Sequence, residues 1–154
     1  MIKRINYPQI NPKAIEGIAA LSKHITSIDE KLRALVALRV SQINGCVYCV
    51  DLHAQQARAA GESQRRLDCL AAWHECSFFD DRERAAPAWA EAVTRLPETH
   101  APDKEYEELK KYFSEREIVD LTLIVSLMNT WNRIAVSFRR IPDARTYGSA
   151  SAIA

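Results

Sequence analysis

Residues 38–53 read LRVSQINGCVYCVDLH and join the end of one predicted helix to the start of another. The apolar residues in and before this stretch recur at three- and four-residue spacing, which predicts an α-helix. Asn44 and Gly45 should end that helix, because glycine tolerates the left-handed backbone found at helix C-termini. Cys46 then lies at or near the start of a second helix, which we expect to run to Gly61. Two thiols and an imidazole therefore fall within eight residues at a helix start.

The same spacing predicts helices along almost the whole chain. Only four Gly and six Pro interrupt 154 residues, and no convincing alternating strand pattern occurs. Further helices are predicted from Asn11 to about Ile25, from the capping box Ser27–Glu30, from Ser63 to Phe78, from Asp80, from about Asp103, and from the capping box Ser114–Glu117 to a stop at Pro142. Pro87 should kink its helix or move its start, and residues 97–102 should form a loop.

Composition and charge exclude several classes of protein. A chain with 47% hydrophobic and 27% charged residues is typical of one globular domain, which we expect over residues 1–142, with a flexible C-terminal tail at 143–154. The net charge of +1 gives no basic footprint for nucleic acid. No apolar run reaches signal-peptide length or the roughly 18 residues of a membrane span, so we expect a cytoplasmic protein without membrane contact.

A second copy of the first helix pattern occurs later in the sequence. Residues 38–44 align with residues 123–129 at a constant offset of 85 residues. This register places Trp131 against Cys46 and core side chains against the other reactive positions. It predicts a degenerate internal duplication of one helical unit, with the chemistry kept in the first copy.

The spacing of Cys46, Cys49 and His53 places all three side chains along one stripe of the second helix. His53 can hydrogen-bond the sulfur of Cys49 or take its proton, while the positive end of the helix favours a thiolate at Cys46. A Cys-x-x-Cys pair can also close into a disulfide with little backbone movement. These are the parts of a two-cysteine redox cycle, in which one sulfur attacks and the other resolves the product.

Two other interpretations of the cysteines remain open. A structural zinc site needs a fourth ligand, which would have to come through the fold. Alternatively, the cysteines are core residues with an unrelated histidine nearby. Cys69 and Cys76 lie seven apart on one predicted helix, hence about 10 Å apart along its axis, too far for a direct disulfide. The candidates for a fourth zinc ligand are His24, His74, Cys76 and His100.

The stretch LRVSQINGCVYCVDLHAQQARAAGES, residues 38–63, resembles the core of the AhpD-like alkylhydroperoxidases of the carboxymuconolactone decarboxylase family. The resemblance is strongest over residues 27–64 and extends through the helix at residues 117–139. It implies an all-α helical bundle that forms homo-oligomers such as trimers or hexamers and reduces hydroperoxides. It also implies an external dithiol donor, such as a lipoyl-bearing protein, with no bound cofactor and no metal.

The resemblance further implies roles for the motif residues. Cys49 would attack the peroxide, Cys46 would resolve the product, and His53 would belong to the proton relay. The electrostatic argument alone favours Cys46 as the more acidic thiol, so the order of the two sulfurs stays open. Tyr48 and Asp51 are auxiliary candidates.

The sequence departs from the family pattern at the proton relay. The relay Glu, twelve residues before the first Cys, is replaced here by Ala34, and Tyr48 occupies a position where some members have a second His. If no other acid substitutes, the alternatives are a slow or non-catalytic redox sensor, or a decarboxylase-like enzyme acting on a small carboxylate with His53 as base. The candidate replacements are Glu16, Glu30, Asp51, Glu75 and Asp120.

Overall fold

Every regular element in residues 4–143, the part of the chain that the computed structural model describes, is helical, which confirms the all-α prediction. The tail predicted for residues 143–154 lies outside the described residues, apart from Asp143. The α-helices are α1 (Tyr7–Ile10), α2 (Pro12–Leu21), α3 (Glu30–Ile43), α4 (Val47–Ala59), α5 (Gln64–Cys69), α6 (Asp81–Thr94), α7 (Leu96–Thr99), α8 (Asp103–Leu109) and α9 (Glu115–Ser137), with 3-10 segments at Ser22–His24 and Leu70–Glu75.

Helices α3, α6 and α9 pack around one another and form the main core. Val36 and Val40 of α3 meet Leu121 and Val125 of α9, and all four side chains are fully buried. Each such side chain contributes roughly 1.5–3 kcal/mol on removal from water. α4 packs against both α3 and α9, so the motif cysteines begin a helix that is held by the two most buried elements of the fold.

The start of α3 differs from the predicted capping box. Asp29, rather than Ser27, is the capping residue, and its carboxylate accepts the N–H of Leu32 at 2.9 Å. Ser27 instead donates its hydroxyl and its N–H to the carboxylate of Asp120 on α9, at 2.7 and 2.9 Å. Thr26 donates a third hydrogen bond there at 3.1 Å. The prediction was wrong because Ser27 is engaged by another helix, which leaves the capping position to Asp29.

The turn between α3 and α4 follows the sequence prediction closely. Gly45 has φ of +64°, in the left-handed region where a side chain would be strained. The N–H of Cys46 donates to the carbonyl of Ser41 at 3.1 Å, a bond that closes the end of α3. Cys46 is then the N-capping residue of α4. The chain reverses direction within three residues and delivers Cys46 directly to a helix start.

The two aligned copies of the sequence pattern lie in α3 and α9, which pack against each other. Asn44 and Asn129, which occupy equivalent positions at the offset of 85, are hydrogen-bonded from Nδ2 to Oδ1 at 2.9 Å. α3 ends at this level, whereas α9 continues without interruption. The internal duplication stays a prediction, and this pairing is the structural feature that it would explain.

The helix predicted for residues 63–78 is broken. It ends at Cys69, and the following 3-10 segment contains a non-helical residue, Ala72, at φ −115° and ψ 30°. Arg84 donates three hydrogen bonds to carbonyls of this segment and holds it in place. Burial and the neighbouring Cys76 thiol raise the pKa of Cys69. The predicted separation of these two cysteines assumed an unbroken helix, so it does not apply to them.

The region around α6 and α7 bears on two further expectations. α6 begins after a capping box formed by Asp80 and Glu83, as predicted, and continues through Pro87 without a shift of its start. The loop expected at residues 97–102 is wrong in its first part, because Leu96–Thr99 forms a short helix with its Pro near the N-terminus. Proline is tolerated there because the first helical N–H groups have no intrahelical partner.

Helix α2 lies on the surface and contains no buried side chain. Asn11 caps it as predicted, accepting the N–H of Ala14 at 3.4 Å. Ile10 and Leu21, at either end of it, are 71% and 42% exposed. Within residues 4–143, no helix combines the length and apolar character needed to cross a bilayer.

The Asp120 contacts give a test of the fold. Replacing Asp120 with Ala leaves the N–H groups of Thr26 and Ser27 without their partner, and we expect the free energy of unfolding in urea to fall by about 1–3 kcal/mol. Asp68→Ala is the matched control, because that carboxylate accepts only an exposed bond from Gln64. The control should change stability by less than about 0.5 kcal/mol. Equal losses in the two variants would contradict the role given to Asp120.

Candidate redox site

Cys46 and Cys49 lie in direct contact at the start of α4. Their Sγ atoms are 2.7 Å apart, and both thiols are free. The Sγ of Cys46 also accepts the backbone N–H of Cys49 at 3.4 Å, because Cys46 is the N-capping residue. The two residues are only 1% and 3% exposed. Since a disulfide needs a separation of about 2.05 Å, a small movement suffices to close the pair.

The shared contact separates the acidities of the two thiols. The hydrogen bond from the Cys49 thiol, helped by the Cys49 N–H, outweighs burial and lowers the pKa of Cys46 to about 7. Donating that hydrogen bond, together with burial and the neighbouring charge, raises the pKa of Cys49. As the pH rises above about 7, the pair therefore comes to hold one negative charge, located on Cys46, and one proton, located on Cys49.

Asn132 of α9 lies behind the two sulfurs and is 1% exposed. Its Nδ2 donates to Ser41 Oγ at 3.1 Å, and its Oδ1 accepts from Asn44 at 2.9 Å. A hydrogen bond from the Asn132 amide lowers the pKa of both thiols, although less than the contact between the thiols changes either. The buried amide thus links the end of α3, the start of α4 and the middle of α9 at the position of the thiols.

A cavity of about 740 Å³ opens beside the pair, and Cys49 and His53 belong to its wall, whereas Cys46 does not. Cys46 is therefore the more acidic thiol and Cys49 the more accessible one. The larger apolar side chains of the wall are Leu52, Ile124, Leu127, Met128 and Trp131.

His53 is 8% exposed, and its Nδ1 lies 2.7 Å from Oε1 of Gln56. Because an amide oxygen can only accept, this contact places the ring proton on Nδ1 and leaves Nε2 as an acceptor. Burial lowers the pKa of His53, against the opposing effect of the Gln56 bond, so the ring is neutral at pH 7. Among the described residues, no hydrogen bond joins the ring to either sulfur.

The two auxiliary candidates occupy different surroundings. Tyr48 lines the cavity, and its ring lies 4.0 Å below the guanidinium carbon of Arg140. Burial raises the pKa of Tyr48, against the opposing charge of Arg140, so the phenol stays protonated. Asp51 lies outside the cavity wall and accepts a hydrogen bond from Gln55 at 2.9 Å.

Ala34, which occupies the position of the family's relay Glu, is buried in the cavity wall. Its methyl side chain cannot carry a proton. Of the other acids considered, Glu30 lines the cavity, whereas Asp120 is held by Thr26 and Ser27 as described above. Glu16 and Glu75 are exposed and lie outside the wall.

Sequence reasoning did not assign functions to Arg140, Tyr7 or Gln56. The Nη1 of Arg140 donates to the hydroxyl of Tyr7 at 2.9 Å across a separation of 133 residues, and no local spacing encodes such a contact. Gln56 lies one turn after His53 and was visible only as a polar helix residue. Within residues 4–143, no three His, Cys, Asp or Glu side chains are grouped so that they could hold a metal ion.

The sequence profile of the carboxymuconolactone decarboxylase family matches residues 12–92, more than half of the chain. The chain belongs to this family. It is also 37% identical over 139 residues to the uncharacterized protein YdfG of Bacillus subtilis, covering 89% of this chain and 95% of YdfG.

Solved structures agree with the family and its AhpD-like fold. A protein of unknown function from Agrobacterium tumefaciens, for which a role as the antioxidant defence protein AhpD is suggested, is 39% identical with a TM-score of 0.89, over 92% of this chain and 99% of that one. The debrominase Bmp8 is 23% identical with a TM-score of 0.78, over 88% of this chain and 74% of its own. At that identity, Bmp8 is evidence of a shared fold alone.

The contact between the sulfurs predicts a spectroscopic titration. In a Cys69→Ser, Cys76→Ser background, we expect one thiolate per chain to appear at 240 nm as the pH rises through about 7, and to disappear below it. Cys46→Ser should abolish this step, because it removes the group that titrates. Cys49→Ala should move it toward the ordinary thiol pKa of about 8.5, because alanine has no side-chain donor for the thiolate. A step already near 8.5 in the parent background would contradict this electrostatic account.

Proposed function

We propose that this protein is a thiol-dependent peroxidase that reduces hydroperoxides through Cys46 and Cys49. The observation that carries the proposal is the 2.7 Å contact between a low-pKa thiol and a second thiol that lines a cavity. A peroxidase of the two-cysteine type needs one sulfur that meets the oxidant and another close enough to resolve it. Membership of the carboxymuconolactone decarboxylase family and an AhpD-like relative agree with this activity.

The proposed reaction begins with a proton shift inside the pair. Cys49 passes its proton to the Cys46 thiolate as the peroxide approaches, which leaves the accessible sulfur as the nucleophile. The Cys49 sulfur then attacks the terminal peroxide oxygen, a sulfur–oxygen bond forms, and the oxygen–oxygen bond breaks. Cys49 becomes a sulfenic acid, and the alkoxide leaving group takes a proton and departs as the alcohol.

The second half closes the disulfide. Cys46 attacks the sulfenic sulfur of Cys49, the disulfide forms, and hydroxide leaves. The pair gives up two electrons, and the peroxide becomes one alcohol and one hydroxide. An external dithiol, of which a lipoyl-bearing protein is the expected form, then reduces the disulfide by exchange and is itself oxidised.

This order of events addresses the relay acid missing at Ala34. The proton that Cys46 takes from Cys49 becomes available to the leaving alkoxide, so the cysteine pair performs part of the work of the absent Glu. In the proposal, His53 remains a second proton carrier. Its unprotonated Nε2 accepts a proton from the substrate rather than from a sulfur. Glu30 is the carboxylate on the cavity wall that could exchange protons with it.

The proposal also includes a homo-oligomer, a trimer or a hexamer, as in related AhpD-like proteins. α2 contributes no buried side chain, and Ile10 and Leu21 beside it are exposed. A helix with no buried side chain is free to pack against a second chain, so we propose α2 as a subunit contact.

Replacing Cys49 with Ser tests the assignment of the nucleophile. With cumene hydroperoxide and dihydrolipoamide as the dithiol donor, we expect the variant to consume peroxide no faster than the donor alone. Without the donor, Cys46→Ser should consume about one equivalent and then stop with a sulfenic acid rather than a disulfide, because no neighbouring thiol resolves it. Cys69→Ser is the matched control and should keep the parent rate. Undiminished turnover by the Cys49 variant would refute the peroxidase proposal.

A further inference from the structure

The cavity beside Cys49 is much larger than a small peroxide requires. Its volume of about 740 Å³ falls within the range of about 300–1,000 Å³ found for sites of small organic ligands. A water molecule, which is close in size to hydrogen peroxide, occupies only about 30 Å³ in the liquid. The large side chains of the cavity wall are mostly apolar, and they include Leu52, Met128 and Trp131. Such a space is suited to an organic molecule with an apolar body.

Arg140 brings a positive charge to one end of this wall. Its guanidinium stacks on the Tyr48 ring at 4.0 Å and donates through Nη1 to the Tyr7 hydroxyl at 2.9 Å. A guanidinium has five N–H donors in a planar fork, which matches both oxygens of a carboxylate. Among the described residues, no carboxylate pairs with Arg140, and the side chain is held in place by two neutral aromatic residues.

The other charged groups of the cavity wall do not pair with the Arg140 guanidinium. Arg33 also lines the cavity, but it donates to the carbonyls of Ile25 and Ser22 at 3.0 and 3.3 Å. Glu30 is the single carboxylate among the described lining residues, and it lies three positions before Arg33 on α3. Among the described lining residues, two guanidinium groups stand against one carboxylate, with the thiolate of the cysteine pair beside them, and Arg140 is the cation with more donors to spare.

We propose that the cavity binds organic compounds that carry a carboxylate, with the carboxylate on Arg140 and the carbon body along the apolar wall. The substrate class would then be carboxylate-bearing organic hydroperoxides rather than hydrogen peroxide. This last step rests on the proposed peroxidase function, whereas the carboxylate site stands on the geometry around Arg140. Tyr48 connects the two, because it lies beneath the guanidinium and directly precedes Cys49 in the chain.

Binding of a non-reactive acid tests the site without any turnover. Octanoate should bind the intact protein and change the fluorescence of Trp131, which lies in the cavity wall. Methyl octanoate, which has no carboxylate, should bind at least about tenfold more weakly. Arg140→Gln should weaken octanoate binding by about tenfold or more, because a charge-assisted hydrogen bond is lost. The methyl ester should respond little to this substitution, because it carries no charge.

Arg139→Gln is the matched control, since it removes the same charge from the neighbouring residue, which lies outside the cavity wall. It should leave octanoate binding unchanged. Arg140→Lys, which keeps the charge and loses the planar fork, provides a milder variant if Arg140→Gln folds poorly, and should weaken binding by several-fold. Equal affinity for octanoate and its ester, or equal effects of the two glutamine substitutions, would overturn the carboxylate site.

An activity measurement separates this inference from the peroxidase proposal. With the hydroperoxide of linoleic acid, Arg140→Gln should lower kcat/KM about tenfold more than it does with neutral cumene hydroperoxide. If the parent protein consumes neither peroxide, the peroxidase proposal fails, and octanoate binding still decides the carboxylate site. If both peroxides are consumed and Arg140→Gln affects them equally, the proposed substrate class fails while the peroxidase proposal stands.

Discussion

The chemistry proposed for this protein depends on how the chain turns between α3 and α4. The left-handed backbone at Gly45 ends α3, and α4 begins at Val47. Cys46, which lies between them, therefore caps α4 through its sulfur. A capping sulfur accepts N–H groups that would otherwise lack partners, and this favours the thiolate. The same turn sets the distance to Cys49. A longer connection would separate the acidic thiol from the helix that stabilises it.

Three amide side chains, two of them buried, fix this turn to the rest of the molecule. Asn44, Asn129 and Asn132 form a hydrogen-bonded group where α3 ends and α9 passes behind the cysteines. Unpaired polar groups in such a position are costly, whereas paired ones restrict the arrangements that the core can adopt. The group therefore holds the turn that carries both sulfurs, and α9 takes part in the candidate site through Asn132.

Local sequence signals predicted most of the fold and the centre of the site, because those features depend on neighbours in the chain. Helix starts at Asn11, Ser63, Asp80 and Ser114 each rest on a capping side chain, and the stop at Gly45 rests on backbone freedom. The failures involve contacts across the chain.

At Ser27, a carboxylate on another helix changed which residue caps α3, and Arg84 from α6 stabilises a break that helical spacing did not indicate. The contact between Tyr7 and Arg140 belongs to the same class, because no short motif encodes a meeting of residues from the two ends of the chain.

That meeting has a practical consequence for anyone who handles the protein. Arg4 donates to the carbonyl of Ser137 at 2.7 Å, and Arg140 donates to Tyr7, so the two ends of the described chain are held together beside the cavity. A shortened protein that lacks α1 would lose the Tyr7 hydroxyl from Arg140, and its guanidinium would no longer be held in the same way. Preferences among ligands should therefore be measured on protein that keeps all of residues 4–143.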